Sequence, residues 1–246
     1  MPSGQRTSRA MLWAAVGLLV ATSGCAVWRI GDSVALARQS RAFEQRPADA
    51  ALRLLVVGDS TAVGTGATAP AASVAGRLGQ AHPNLWIDNR AQDGARLADV
   101  EAQLRGADER FDIVLVQAGG NDIIRLSNLD TLRKTINDVA RVAGEKAPLV
   151  LLMPAGNVGN SPFFFPPLRG WMTQRSRDLH AIVRETAASH GAVYVNLFKE
   201  RADDPFVHNP ALHASDGLHP SDAGYGVWLE ELMGQSALAS TLKAAR

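Results

Sequence analysis

Four short blocks of the chain carry residue types that can break an acyl bond. The first is Gly58-Asp59-Ser60, a hydroxyl just past an apolar run, and the second ends in Gly94. The third is Gly119-Gly120-Asn121-Asp122, and the last is Asp216-Gly217-Leu218-His219. A serine hydroxyl attacks a carbonyl once a base takes its proton, and neutral imidazole is the usual base. His219 can be that base, with Asp216 holding the ring and stabilising the imidazolium. Charge developing on the carbonyl oxygen needs donors aimed at it. The amides of Ser60 and Gly94 and the carboxamide of Asn121 can supply them. Asp59 and Asp122 read as local hydrogen-bonding supports. The other histidines (His82, His180, His190, His208 and His213) lack an Asp-x-x-His setting and read as surface or packing residues.

Chemistry of this kind requires elements that bring distant blocks together. Five apolar runs, Leu54–Val57, Leu85–Ile87, Ile113–Val116, Leu149–Leu152 and Val193–Val195, read as strands. The first, third and fourth are continuously apolar, as strands covered on both faces are. Helical patterns span Ser73–Ala81, Arg96–Leu104, Leu129–Gly144 and Trp171–His190, and a last helix runs from Ser221 to about Leu242 with a break. This alternation predicts an α/β protein with three α/β/α layers and a five-stranded parallel sheet in the flavodoxin-like order 2-1-3-4-5. Strands one and three then flank the ligand crevice. Each block follows the carboxyl end of a strand, so all four converge there.

On these blocks the sequence resembles the SGNH/GDSL hydrolase family, which is marked by a Ser in Gly-Asp-Ser, a Gly after strand two, an Asn in Gly-x-Asn-Asp, and a C-terminal Asp-x-x-His. Ser60, Gly94, Asn121 and Asp216/His219 occupy those positions in that order. Thr61 replaces the family's leucine, and Ala91 replaces a glycine often found before Gly94. The resemblance implies the SGNH hydrolase fold and an ester hydrolase of carboxylesterase or lysophospholipase-like type. It implies no cofactor and no metal. The substrate would be a small-molecule or lipid ester, cleaved through an acyl-enzyme on Ser60. The same site also suits an acyltransferase or an O-acetyl-sugar deacetylase. A protein that binds acyl lipids without turnover is the alternative from another class, but binding alone has no need of a base.

Composition excludes several other classes. The chain has 246 residues, 25 basic and 24 acidic, so its net charge of +1 leaves no electrostatic footprint for nucleic acid. Its single cysteine, Cys25, rules out an internal disulfide and a Cys-rich zinc site. Gly64-Thr65-Gly66 lacks the Gly-Lys-Ser/Thr of a phosphate loop, and Ala62 stands where the GxSxG elbow needs a glycine.

The N-terminus has a different character. Arg6 and Arg9 precede an uncharged stretch from Ala10 to Trp28, followed by Arg29. A basic start, an apolar core and the small residues Thr22, Ser23 and Gly24 read as an export signal. Cys25, ending the small-residue patch, resembles a bacterial lipoprotein box with a lipidated cysteine; an uncleaved single-span anchor is the rival reading. Either predicts an exported, cell-envelope protein associated with a membrane through its N-terminus. Residues 1–50 accordingly read as signal or anchor plus linker, and 51–246 as the hydrolase domain. The second Gly-Asp-Ser, at Gly31-Asp32-Ser33, falls in that linker. Finally, Phe163, Phe164 and Phe165 follow strand four, where they can line an acyl pocket, touch a membrane, or pack beneath their own loop.

Overall fold

A computed structural model describes residues 28–244. Its strands are β1 (Leu52–Gly58), β2 (Leu85–Asn89), β3 (Ile113–Gln117), β4 (Leu149–Leu152) and β5 (Val193–Tyr194). They form one parallel sheet in the order β2-β1-β3-β4-β5, as the sequence pattern predicts. The helices are α1 (28–39), α2 (Ser60–Val63), α3 (Val74–Ala81), α4 (Leu97–Arg105), α5 (Gly120–Ile124), α6 (Leu129–Lys146), α7 (Pro166–His190), α8 (Pro205–His208), α9 (Asp222–Gln235) and α10 (Leu238–Ala244).

Side chains alternate across the strands, so each strand feeds two cores. Leu55, Val57, Val114, Val116, Val150 and Leu152 pack beneath α4, α6 and α7. Leu54, Val56, Ile113, Leu115 and Leu151 face α3, α9 and α10. β1 and β3 are therefore covered on both faces, which is why they read as unbroken apolar runs. The helices start where side chains can satisfy their free amides. Ser73 caps α3 through the Gly76 amide at 3.0 Å, and Asn128 caps α6 through Asp130 and Thr131 at 3.0 Å each. α7 begins five residues before the expected Trp171, because Pro166 and Pro167 are tolerated in a first turn whose amides have no partner.

The expected linker is the main correction. Residues 28–39 are helical, and Ser33, Val34 and Ala37 of α1 line the central cavity. The chain then runs along the edge of β2. Gln45 exchanges backbone hydrogen bonds with Ile87 at 2.8 and 3.1 Å, and its side chain donates to the carbonyls of His82, Pro83 and Leu85. Phe43 packs on the α3 side of the sheet, over Gly79. This arm covers unpaired strand groups and apolar surface that would otherwise meet water. A chain beginning at Ala51 is therefore expected to lose at least about 3 kcal/mol of stability relative to one beginning at Trp28. Urea unfolding of the two chains measures it, and equal midpoints would show that the arm contributes nothing.

The stretch 10–28, apart from Trp28, lies outside the described residues, as does Cys25. Among the described residues, no helix is long and apolar enough to cross a membrane.

Candidate active site

The register sets Val57 beside Val116 and Gly58 beside Gln117, so β1 and β3 end together at the point where strand order reverses. The chain leaves β1 through Gly58 (φ +153), where a Cβ would lie 1.9 Å from the Gln117 carbonyl oxygen. Glycine is thus required at this crossing. The next residues form the single turn α2, capped by the Asp59 carboxylate, which accepts from the Thr61 amide at 2.9 Å and hydroxyl at 2.7 Å. Burial pushes the Asp59 carboxyl up from its usual range, against those two hydrogen bonds.

Side-chain amides from other strands and helices hold this turn. Gln103 brackets Gly58, accepting from its amide at 2.8 Å and donating to its carbonyl at 3.0 Å. Gln117 donates to the Thr61 carbonyl at 2.7 Å, and Asn89 to the Ala62 carbonyl at 3.0 Å. Each takes up backbone groups that so short a helix leaves free. The result is a serine at a helix N-terminus, fixed from three directions.

His219 arrives from the long connection after β5. Its Nε2 lies 2.9 Å from Ser60 Oγ, and its Nδ1 2.6 Å from Asp216 Oδ2. The other carboxylate oxygen of Asp216 accepts from the amides of Leu218 at 2.9 Å and His219 at 3.0 Å. Burial opposes ionisation of Asp216. The His219 ring and the two amides outweigh it and hold the carboxyl below its usual range. An ionised Asp216 accepts a hydrogen bond from Nδ1–H and so fixes the tautomer that leaves the Nε2 lone pair for the serine hydroxyl.

The third block forms the turn at Gly119 (φ +116), after which α5 carries Asn121 in its first turn. One carboxamide N–H of Asn121 donates to the Ala95 carbonyl at 3.1 Å, which fixes the group and leaves its second N–H available. Gly94 adopts φ +77, and its amide and that of Ser60 donate to no other group among the described residues. Ser60, Gly94, Asn121 and His219 all line one cavity of about 290 Å³. Asp122 points away from it, accepting from the Leu97 amide and the Ser127 hydroxyl. Burial raises its pKa against those bonds. Asp59 and Asp122 therefore each accept hydrogen bonds from one backbone amide and one hydroxyl. Among the described residues, no three His, Cys, Asp or Glu side chains are placed to hold a metal ion.

The phenylalanines are not placed as an acyl pocket. Phe164 is buried in the core beneath α7, Phe163 packs edge-to-face on it at 5.1 Å, and Phe165 is exposed. None of the three lines the cavity. α7 begins so soon after them that two of these rings are drawn into its packing. The wall is built instead from residues that sequence reasoning passed over. They include Val34 on α1, Arg125 at the end of α5, and Phe206, His213 and Trp228 from the C-terminal segment. Both ring nitrogens of His213 are buried without a hydrogen-bond partner among the described residues, and burial lowers its pKa. A position four residues after Asn121, one helical turn on, was the one available signal for Arg125; α1 and His213 gave none.

His180 supports the wall from behind. Its Nε2 lies 2.8 Å from the Ala155 carbonyl and its Nδ1 2.7 Å from the Tyr194 hydroxyl, itself 2.9 Å from Asn196 Oδ1. Burial lowers the His180 pKa to about 4. Above the ordinary histidine value both folded and unfolded states are neutral there, and the effect on stability is nil. As pH falls from about 6.5 towards 4 the unfolded chain takes a proton that the fold refuses, costing about 3 kcal/mol in all. His180→Gln is expected to be less stable than wild type at pH 7, with the gap narrowing by about 2 kcal/mol at pH 4.5. Denaturant titrations at the two pH values measure this, and a gap that does not narrow would show the ring already charged in the fold.

Comparison with known proteins agrees with this architecture. Among solved structures, TesA superposes with a TM-score of 0.60 at 22% identity, covering 74% of this chain and 97% of its own. Axe2, an acetylxylan esterase from Geobacillus stearothermophilus, gives 0.58 at 21%, covering 76% and 94%. An extracellular lipase from Streptomyces rimosus gives 0.55 at 19%, covering 75% and 100%. No curated protein matches the sequence. The profile of the GDSL-like lipase/acylhydrolase family matches residues 56–227, from within β1 through the His219 loop into α9. With that span matched, the chain belongs to the GDSL-like lipase/acylhydrolase family.

Proposed function

We propose that this ester hydrolase is a serine esterase working through an acyl-enzyme. Ser60 Oγ bonds to the ester carbonyl carbon while its proton passes to His219 Nε2, and Asp216 balances the imidazolium. The carbonyl oxygen, now negative, is held by the amides of Ser60 and Gly94 and the free N–H of Asn121. The C–O bond to the alcohol then breaks as Nε2 returns the proton to the leaving oxygen. Water, deprotonated by the same nitrogen, cleaves the acyl-enzyme to the acid and restores the Ser60 hydroxyl. The observation that carries this reading is the 2.9 Å approach of His219 Nε2 to Ser60 Oγ, with Asp216 on the opposite nitrogen.

The similar structures include an acetylxylan esterase and a lipase, so the acyl chain and the alcohol are the open variables. Turnover of a panel of acyl esters of graded chain length, with a sugar acetate and a lysophospholipid, tests the reading. The expected result is hydrolysis of at least one class by wild type and of none by Ser60→Ala. Binding without turnover would favour an acyl-lipid-binding protein, and transfer to an added alcohol in place of water would favour an acyltransferase. The charge pattern of residues 1–28 supports export and envelope attachment, either by a lipidated Cys25 or by an uncleaved span.

A further inference from the structure

Exposed large apolar side chains are ordinarily scattered. Here the exposed ones among the described residues are Trp28, Ile30, Val34, Leu126, Phe165 and Trp171. They belong to three segments, each of which lends residues to the cavity wall. Ile30 and Val34 lie one turn apart on α1, and Val34 itself lines the cavity. Leu126 follows Arg125, another wall residue. Phe165 begins the approach to α7 just beyond the wall residue Ser161. Trp171 shares its face of α7 with Arg175, four residues on, whose guanidinium donates to the Ser127 carbonyl. The segments also touch one another, since Arg29 of α1 donates to the Pro162 carbonyl. α1, the turn at Leu126 and the chain from Ser161 into α7 thus each meet the wall of the cavity above Ser60, and each carries exposed apolar groups.

Leu126 shows that this exposure is held in place. It is the one non-glycine residue described with a positive φ, +59°, and the residue is 42% exposed. Hydrogen bonds from its own amide to the Ile123 carbonyl and from Ser127 to the Asp122 carbonyl keep the turn closed. Strained backbone of this kind persists only where its surroundings impose it. Cations stand among the apolar groups. Arg29 and Arg169 are tied to the carbonyls of Pro162 and Phe164, while the Arg125 side chain has no hydrogen-bonding or ionic partner among the described residues. Tryptophan and aliphatic side chains interleaved with arginines suit the boundary between acyl chains and phosphates. The uncharged stretch that begins at Ala10 ends at Trp28, the first residue of α1.

We propose that these three segments form a bilayer-docking rim and that the substrate is a lipid ester entering the cavity directly from the membrane interface. The proposal rests on the esterase reading above and adds where the ester comes from. Its test uses the full chain on phosphatidylcholine–phosphatidylglycerol vesicles carrying a lysophospholipid, with water-soluble p-nitrophenyl acetate as the comparison. Leu126→Glu, Phe165→Glu and Trp171→Glu combined leave α1 and every cavity-lining residue unchanged. The triple variant is expected to hydrolyse the vesicle-borne ester at least about tenfold more slowly, while the soluble ester changes by less than about twofold. Equal losses on both esters, or no loss on either, would overturn the proposal. Hydrogen exchange of wild type gives a readout independent of turnover. Amides of residues 124–128 and 163–171 are expected to slow on vesicles, and unchanged exchange there would overturn the proposal. A wild-type dimer without vesicles that the triple variant disperses would also overturn it, by assigning the rim to a second copy. If wild type cleaves neither ester yet exchange slows at the rim, it is the esterase reading that fails and the docking face that stands.

Discussion

Alanine at position 60 is expected to lower kcat by about 10⁴–10⁶, with KM changed far less. The deleted oxygen is the atom that bonds to the substrate carbonyl, and no other hydroxyl lies within hydrogen-bonding reach of His219 Nε2 among the described residues. Residual rate would come from the donors that polarise the carbonyl for attack by water. Steady-state hydrolysis of the best ester of the panel measures the effect, alongside an unfolding curve to show that the variant folds. The fold should tolerate the change, because α2 is held by Asp59, Gln103, Gln117 and Asn89 and not by the serine hydroxyl. His219→Ala should cost nearly as much, and the double variant little more than either. Two groups that act as one unit do not contribute additively. A double variant whose losses multiply would mean that Ser60 and His219 work in separate steps.

The second largest effect is expected at the carboxamide. Asn121→Ala should reduce kcat by about 10²–10³, the cost of removing one donor from a developing oxyanion. KM should move little, because the bond tightens mainly as charge gathers on the oxygen. The same substitution breaks the contact with the Ala95 carbonyl and so loosens the Gly94 turn, which places this loss at the upper end of the range. Initial rates across substrate concentration separate the two parameters. A loss confined to KM would assign Asn121 to ground-state binding.

Much of this site is legible from sequence because its parts obey local rules. A strand buried on both faces must be an apolar run, so β1, β3 and β4 declare themselves, and the blocks after them are placed by topology. Ser60, Asn121 and His219 come together as that topology requires. What escaped notice acts across sequence distance. Gln103, Gln117 and Asn89 are ordinary polar residues until folding sets their amides against the backbone of residues 58–62, and no spacing marks them. α1 was hidden by its own composition. Gly31-Asp32-Ser33 is turn-forming chemistry, and the apolar Ile30, Val34 and Ala37 make too short a stripe to outweigh it. The arm after it pairs with β2 through Gln45 alone, which leaves no two-residue period to detect. The three phenylalanines were misplaced because the start of α7 at Pro166 decides which of them is drawn into the core.

The central claim is that Ser60 is the nucleophile, and covalent labelling tests it most directly. A fluorophosphonate reacts with a serine oxygen only where a base removes its proton and donors stabilise the oxyanion formed at phosphorus. The full chain is treated with the probe, digested, and the modified residue read by mass spectrometry. A single adduct on Ser60 is expected, absent from Ser60→Ala and strongly reduced in His219→Ala. An adduct on Ser33, the other Gly-Asp-Ser serine and itself part of the cavity wall, or labelling that survives Ser60→Ala, would contradict it.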